Sequence, residues 1–447
     1  MTFPITDASP VRHAAALPGR VDVTVIGGGI IGVMTAWFLR QKGLSVLLLE
    51  KGRIAGEQSS RNWGWVRQQG RDLAELPIMI ESLGLWKDLA ARLGDGLGFR
   101  QSGAMYLART DREMAGFEAW LTSARAYGLD TRLLTGGEAA AMLPGAVAPW
   151  KGGLWTASDA RAEPWTAVPL LADAAAASGV LFREACAVRA LDIAAGRIAG
   201  VVTEAGRVAC DRVVVAAGAW SRLLLHRHGV RLPQLSVRAT VAVTMPMPEI
   251  FPGNAADDGF AFRRRADGSY TIASGGSEDD FFIGPDAFRS FVSYLPILRQ
   301  DPRLSRYRPA APKGFPDAWG TPRRWDADRV SPFETTRILN PAPNLKTLAK
   351  VQEAFAAAFP SLGRPKLRTV WAGMIDTLPD VLPVVDHAPI PGLILATGMS
   401  GHGFGIGPGI GRVVADLVTG GRIGHDLNRF RFARFTDGTR MAPGPSL

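Results

Sequence analysis

Gly27, Gly29, Gly32 and Glu50 are the residues whose types and spacing first point to chemistry. In a Gly27-x-Gly29-x-x-Gly32 run the first glycine permits a tight turn, the second lets the backbone approach a pyrophosphate, and the third lets a helix pack closely on a strand. The start of that helix offers unpaired N–H groups to phosphate. Glu50 closes the next apolar run, where an acid accepts hydrogen bonds from ribose hydroxyls. The elements that must hold these residues are written around them. Val21 to Ile26 is an apolar, β-rich run, Ile30 to Gln41 has helical spacing, Gly43 stops it, and Ser45 to Leu49 is a second strand. A glycine triplet alone is a weak signal, but strand, turn, helix, strand and terminal acid together predict a dinucleotide site.

At 447 residues and 47% hydrophobic content the chain exceeds one simple core and predicts two domains able to enclose a ligand. The 51 basic against 41 acidic side chains give +10, which favours nucleotides, carboxylates or membrane surfaces as partners. Apart from Arg429 to Arg434 (RFRFAR) there is no dense basic run interleaved with aromatics, so no nucleic-acid partner is expected. Arg263-Arg264-Arg265 reads as a solvated strand end. Cys186 and Cys210 are too few for a disulfide framework or a thiolate site, so the expectation is no metal and a reducing, cytoplasmic compartment. Residues 1–20 carry Pro4, Pro10 and Pro18 without a signal-peptide core and read as a mobile leader. No run approaches the roughly 18 apolar residues of a membrane-spanning helix. Phe281 to Leu298 is the most apolar amphipathic stretch, read as domain packing or a cavity lid, with peripheral contact at the inner membrane as the alternative.

Beyond Glu50 a loop dense in Gly, Ser and Arg (52–72) precedes helical spacing from about Glu81 to Leu93. Helices are further predicted at Asp111 to Tyr127, Glu138 to Leu143, Pro164 to Ala177 and Pro343 to Phe359. Short strands are predicted between Val180 and Ala216, a hairpin about Asp267-Gly268, and a strand at Leu367 to Trp371. The last unit, from Leu393, is strand, glycine turn and helix.

Three signatures stand in order: the glycine run with Glu50, VVVAAGAWS at Val213 to Ser221, and LATGMSGHGFGIGPGIG at Leu395 to Gly411. Together they resemble the flavin-dependent family of D-amino-acid oxidases and dehydrogenases, glycine oxidase and sarcosine oxidase, from Val21 to about Asp437. The resemblance implies an α/β fold: a Rossmann-like, p-hydroxybenzoate-hydroxylase-like FAD-binding domain beside a second α+β substrate domain built on a mixed sheet. On this division the FAD-binding domain is discontinuous (21–88, 157–228 and 365–437), the substrate domain comprises 89–156 and 229–364, and 438–447 is a tail. By position, Ser59, Ser60, Arg61, Asn62 and Gly64 match the loop that wraps pyrophosphate and flavin, and Lys51 and Trp63 beside it are further expected cofactor contacts. Val188 matches the backbone contact to adenine, and Ala217, Gly218 and Trp220 match the turn beneath the nucleotide. Gly398, Ser400, Gly401, His402, Gly403, Phe404 and Gly405 match the turn that reaches the flavin C2 carbonyl. The Cys and His that carry covalent flavin in some members have no counterpart at the matching places, so noncovalent FAD is expected.

The implied reaction oxidises a C–N bond of an amino acid or secondary amine, with hydride passing to flavin N5 and the imine hydrolysed to a keto acid plus ammonia or an amine. Oxygen or a quinone would accept the electrons. Many members carry W-A-G-L-R-P-x-T-P-D, whose Arg clasps the substrate carboxylate. Here the segment is Trp371 to Asp380, with Ile375 at the Arg position and Asp376 next. Two readings follow. Arg67 or Arg61 binds the carboxylate instead, or Asp376 pairs with a cationic substrate such as a basic amino acid. Asp376 as a purely structural carboxylate is the plainer alternative. His402 stands near the expected flavin edge as a tuning or substrate-contacting group, and Trp63, Trp65 and Trp371 are candidates for an aromatic wall around an amine. Gln68 and Gln69 are weaker candidates for polar contacts. Two other classes remain: a tRNA-modifying flavoprotein, and a non-catalytic subunit of an oxidase complex that has lost the Arg.

Overall fold

The computed structural model describes residues 3–276, 279–300 and 305–442, and of these the side chains of 279, 296–300 and 305 lie outside the description. The strand Val23–Ile26 lies inside a six-stranded sheet between Val46–Leu49 and Arg212–Val215. Leu181–Arg183 forms one edge, and Leu393–Thr397 followed by Val384–His387 the other. All neighbours are parallel except the outermost pair at the Val384–His387 edge. Every residue of Val23–Ile26 and Val46–Leu49 is buried, as in a sheet covered on both faces. The helix Ile30–Gln41 and the final helix Gly403–Thr419 cover one face together.

The second, larger sheet is mixed. Its longest strands, Leu235–Thr244 and Leu367–Thr377, pair antiparallel along their whole length. The hairpin expected about Asp267-Gly268 joins Ala261–Arg264 to Tyr270–Ala273, with Gly268 at φ 78°. From Ala104–Ala108, Thr131–Thr135 and Gly152–Thr156 the sheet continues through Asn254–Ala256. Leu367–Thr377, assigned from sequence to the dinucleotide-binding part, thus belongs by its hydrogen bonds to the substrate-side sheet and returns the chain to the first sheet through the turn after Thr377. A small sheet of Trp65–Val66, Ala160–Arg161 and Arg100–Gln101 sits between the two.

Most predicted helices lie where their spacing placed them, including Ile30–Gln41 and Pro164–Ala177. The helix expected from Glu81 starts earlier, at Leu76, with Pro77 in its first turn. Phe281 to Leu298 divides into a strand, Asp279–Phe282, and the helix Pro285–Gln300, whose Phe288, Phe291 and Val292 are exposed. Residues 3–20, read as a leader, lie against the fold. Phe3 meets Trp371 edge-on with centroids 4.6 Å apart, Ile5 is buried, and Ala14 bridges to Arg183. Among the described residues no helix is long and apolar enough to cross a membrane.

The basic tail has local partners. Arg429 pairs with Asp72, Arg431 with Asp437, and Arg434, only 2% exposed, with Asp380 at 2.8 Å. Arg434 also donates to the carbonyls of Arg431 and Leu382. Removing one member of a buried pair leaves the other charge uncompensated. Arg434→Ala is therefore expected to lower unfolding stability by about 3–5 kcal/mol, read as a shift in the urea midpoint, while Arg431→Ala changes it little.

Candidate active site

A cavity of 410 Å³ runs between the two sheets. At one end lie Gly27, Gly29, Glu50 and Val188, and at the other Arg67, Tyr106 and His402. The glycine turn is built on close approach. Gly27 has φ 113°, and a Cβ on Gly32 would fall 2.0 Å from the Gly27 carbonyl. The helix Ile30–Gln41 begins at Gly29 with no side-chain cap on its first turn, although Ser59 Oγ accepts the Ile30 N–H at 2.9 Å. The helix Gly403–Thr419 begins at His402, also without a side-chain cap, and its first residues line the other end. Both helix starts thus offer N–H groups and a partial positive charge to the same space. That donor set suits a dinucleotide whose pyrophosphate and ring carbonyls accept hydrogen bonds.

Glu50 accepts the Gly28 and Gly52 N–H groups at 2.7 Å each. Burial nevertheless pushes its carboxyl up to about 7. Lys51 pairs with Glu57 at 2.7 Å and donates to the Thr336 and Arg337 carbonyls, and Glu57 also accepts from Trp220 Nε1 at 3.0 Å. Asn62 Oδ1 accepts the Gly64 N–H, fixing the tight bend after Arg61. Ala217, Gly218, Trp63, Gly401, Gly403, Phe404 and Gly405 line the cavity. Gly32, Ser60, Gly64, Gly398 and Ser400 stand one layer behind it; Gly398 N–H reaches Asp376 at 2.8 Å, and Ser400 takes φ 49°.

The other end is cationic. Arg67 lies over the Tyr106 ring, 5.4 Å from its centroid, and donates to the Gln69 carbonyl. Arg71, buried, reaches the Arg67 carbonyl through Nε at 3.2 Å and the His402 carbonyl at 3.5 Å. Its Nη1 has no hydrogen-bond acceptor among the described residues and lies 3.9 Å from Glu75. Burial, with Arg67 nearby, pushes the Arg71 guanidinium down to about 10, so it is cationic at neutral pH. Burial would raise Glu75, but His402, with Nδ1 3.1 Å away, and the two arginines hold it below its usual value. Burial lowers His402, favouring its neutral form. The walls are apolar and aromatic: Ala239 and Val241 from the central strand, Ile375 beside them, and Trp63, Trp65 and Tyr106.

Several candidates have their polar atoms engaged by the protein itself, Arg61 and Asp376 among the lining residues and Trp371, Gln68 and Gln69 outside the lining. The Arg61 guanidinium is buried and directed to protein acceptors: the carbonyls of Ile5, Gly56 and Ala372, and Asn340 Oδ1. Trp371 is buried against Phe3 and donates to the Arg61 carbonyl at 2.9 Å, outside the cavity lining. Gln68 hydrogen bonds Ser158 and Asp159, and Gln69 accepts from Thr156, both behind the wall. Asp376 is 1% exposed and points to the opposite face of its strand from Ile375. One oxygen accepts from Gly398 N–H at 2.8 Å and Gln234 Nε2 at 3.0 Å, with Thr397 Oγ1 at 3.5 Å. It has no ion-pair partner among the described residues, and burial pushes it up to about 6. This is the plainer structural role, for the strand's alternation turns the carboxylate inward once Ile375 faces the cavity. The sequence reading missed Arg71, Glu75 and Tyr106. Arg71 stood in the Arg-rich loop one turn beyond Arg67, whereas Tyr106 sits on a distant strand with no local motif.

A family profile described as FAD dependent oxidoreductase matches residues 22–417. The structure of L-amino acid deaminase from Proteus myxofaciens in complex with anthranilate is similar over 96% of this chain and 97% of that one, with a TM-score of 0.90 and 30% identity. L-proline dehydrogenase from P. horikoshii shares 24% identity at a TM-score of 0.77, covering 94% of this chain and 99% of that one. Among sequences, the sarcosine oxidase subunit beta of Rhodobacter capsulatus is 23% identical over 94% of this chain and 90% of its own length. Mitochondrial sarcosine dehydrogenase of Mus musculus is 24% identical over 96% of this chain, which spans only 43% of that longer protein.

Two measurements test the geometry. Ribose hydroxyls donating to Glu50 favour its ionised form and lower its pKa, so FAD binding releases a proton where the free carboxyl is protonated. FAD affinity for apoprotein should therefore rise between pH 6 and pH 8, and Glu50→Gln should bind more weakly with a flattened pH dependence in fluorescence titrations. Asp376→Asn keeps an acceptor for the same three donors. Its kcat/KM should change by the same factor, within about twofold (about 0.4 kcal/mol), for a basic and a neutral amino acid; a selective loss on the basic one would restore Asp376 as a recognition group.

Proposed function

Because the chain belongs to the FAD dependent oxidoreductase family, an enzyme family acting on amino acids and amines, we propose that it oxidises a neutral L-α-amino acid with an apolar or aromatic side chain. The product is an imine, hydrolysed to a keto acid and ammonia. The observation that carries this reading is the pair Arg67 and Arg71 at one end of the cavity, beside the apolar and aromatic side chains of Trp63, Trp65, Tyr106, Val241 and Ile375. Anthranilate in the Proteus myxofaciens deaminase, itself a carboxylate with an amino group, supports a carboxylate ligand here, and the 30% identity to that L-amino acid deaminase supports the L configuration.

Bound FAD would supply the two-electron acceptor for the substrate C–H, and the glycine turn, Glu50, Lys51, Ser59, Asn62, Trp63, Ala217, Gly218 and the Gly401 to Gly405 turn would hold it. The chain's own residues bind and orient. Arg67 is placed to clasp the carboxylate, in place of the Arg that Ile375 displaces from the strand, and Arg71 fixes the Arg67 backbone from behind. Glu75 offsets part of the charge of the arginine pair, and burial, by lowering His402, keeps further positive charge from building up beside them. Trp63, Trp65 and Tyr106 exclude water from the reacting centre. Oxygen or a quinone takes up the electrons. The FAD is noncovalent: His402 is turned toward Glu75, and Cys186 and Cys210 are buried away from the cavity lining.

A charge-assisted contact of this kind contributes about 1.5–3 kcal/mol. Arg67→Met should therefore raise KM for a neutral L-amino acid about 10- to 100-fold, with little effect on amines that lack a carboxylate. Anaerobic titration of the visible flavin band with D- and L-amino acids, N-methylglycine and basic amines reads it directly. Bleaching by L-leucine or L-phenylalanine but not the D forms supports the assignment. Bleaching only by basic amines or N-methylglycine overturns it.

A further inference from the structure

The three consecutive arginines 263 to 265 diverge in the structure. Arg263 is buried against Glu163, with Nη1 and Nη2 at 2.9 and 3.0 Å from its two oxygens, and Nε donates to the Trp63 carbonyl. Arg264 turns to Glu249 and the Tyr270 hydroxyl. Arg265 lies over Trp165, its guanidinium carbon 3.8 Å from the ring centroid, and faces a second recess of 320 Å³. Arg161 and Arg100 enter the same recess from the small sheet.

Arg161 and Arg265 are only 8% and 9% exposed. On each, Nε and Nη1 are buried without a hydrogen-bond acceptor among the described residues. The nearest acids are already engaged. Glu163 lies 3.8 Å from Arg161 Nη1 but accepts two bonds from Arg263 and one from the Ala266 N–H. Asp267 lies 3.6 Å from Arg265 Nε but accepts from Ser269 and pairs with Arg368 at 2.7 Å. Asp95, the one acid lining the recess among the described residues, is exposed and paired with Arg100 at 2.8 Å. Burial pushes both guanidiniums down to about 10, so both are cations at neutral pH. Two buried cations with idle donors form a costly arrangement unless an acceptor joins them.

We infer that this recess is an anion site, separate from the FAD cavity, that takes the phosphate group of a small molecule between Arg161 and Arg265. A phosphate presents several acceptor oxygens at once, and the planar guanidinium forks match them in pairs. Among the described residues no large apolar side chain lines the recess, only Gly98, Ala266, Gly268 and charged groups, which favours a free phosphorylated molecule over an anionic lipid with its acyl chains.

The test uses the FAD-loaded full-length protein with inorganic phosphate and pyrophosphate at constant ionic strength, followed by calorimetry and by the thermal midpoint. The flavin absorption band reports that the cofactor site is intact. The expected result is saturable binding that Arg161→Gln and Arg265→Gln each weaken at least tenfold, with Arg265→Lys recovering part of it should Arg161→Gln fail to fold. Binding that survives in Arg265→Gln, or stabilisation that follows ionic strength alone, overturns the site. Arginine-dependent sedimentation with phosphatidylglycerol vesicles, without saturable binding of free phosphate or pyrophosphate, overturns the small-molecule assignment in favour of a lipid headgroup.

Discussion

The close crossing of two helices is the constraint on which the cavity depends. Ile30–Gln41 and Gly403–Thr419 lie so near each other that a Cβ on Gly407 would come 2.7 Å from Ile30, and one on Gly411 2.5 Å from Met34. Side chains larger than hydrogen at those positions would drive the helices apart. Ser82 and Trp86 pin the second helix from its other side, both donating to the Gly405 carbonyl at 2.8 and 2.9 Å, while Ser82 accepts the Gly409 N–H just beyond Pro408. With both helices fixed, both uncapped N-termini face one space. A nucleotide's charge and a ring carbonyl can then be met from two directions by groups that need no rearrangement.

The same space is electrostatically graded. At the nucleotide end an acid, Glu50, is kept close to its titration point by burial against two backbone donors. At the far end Arg67 and Arg71 are opposed by the buried carboxylates Glu75, which His402 also touches, and Asp159. Such a gradient suits a ligand whose hydroxyl donors lie at one end and whose substrate partner carries a carboxylate at the other. Asp376 borders the same cavity, but its carboxylate is held by Gly398, Thr397 and Gln234, where it ties the strand Leu367–Thr377 to the last glycine turn.

The dinucleotide half of the fold was legible because its signals are local. Each glycine, the helix between the strands and Glu50 sit within one continuous stretch, and periodicity located the helices Ile30–Gln41 and Pro164–Ala177. Leu367–Thr377 was grouped with the dinucleotide-binding part without its pairing to Leu235–Thr244 being foreseen, since strand pairing at that separation leaves no local mark. Residues 3–20 were misjudged for a related reason: their prolines suggest an extended chain, but Phe3 and Ile5 find buried contacts only once Trp371 and Arg61 are in place. Arg61 and Trp371 were identified as residues of consequence by type, yet type does not reveal direction. Both turn their polar atoms toward the backbone, where a buried guanidinium or indole N–H must find acceptors.

Moving the cationic group from a strand to a loop changes what must be rigid. An arginine on a paired strand would inherit its position from the ladder. Arg67 follows only a two-residue strand, Trp65–Val66, and needs other supports. The structure provides three: the Tyr106 ring beneath its guanidinium, the Gln69 carbonyl at its tip, and Arg71 bonded to its own carbonyl. Asp159, accepting the Gln68 and Gln69 N–H groups at 2.7 and 3.2 Å, holds the intervening turn from below. These supports differ in kind. Tyr106 belongs to the strand Ala104–Ala108 and Asp159 stands just before the strand Ala160–Arg161, whereas Arg71 also contacts the His402 carbonyl at the start of the final helix. A displacement of that helix start would pass to Arg67 through one side chain and couple the turn proposed to face the flavin to the group proposed to grip the substrate. Under the proposed assignment the substrate clamp and the cofactor turn are one hydrogen-bonded unit, and specificity at this end of the cavity depends on Arg71 and Glu75 as well as on the residue that touches the carboxylate.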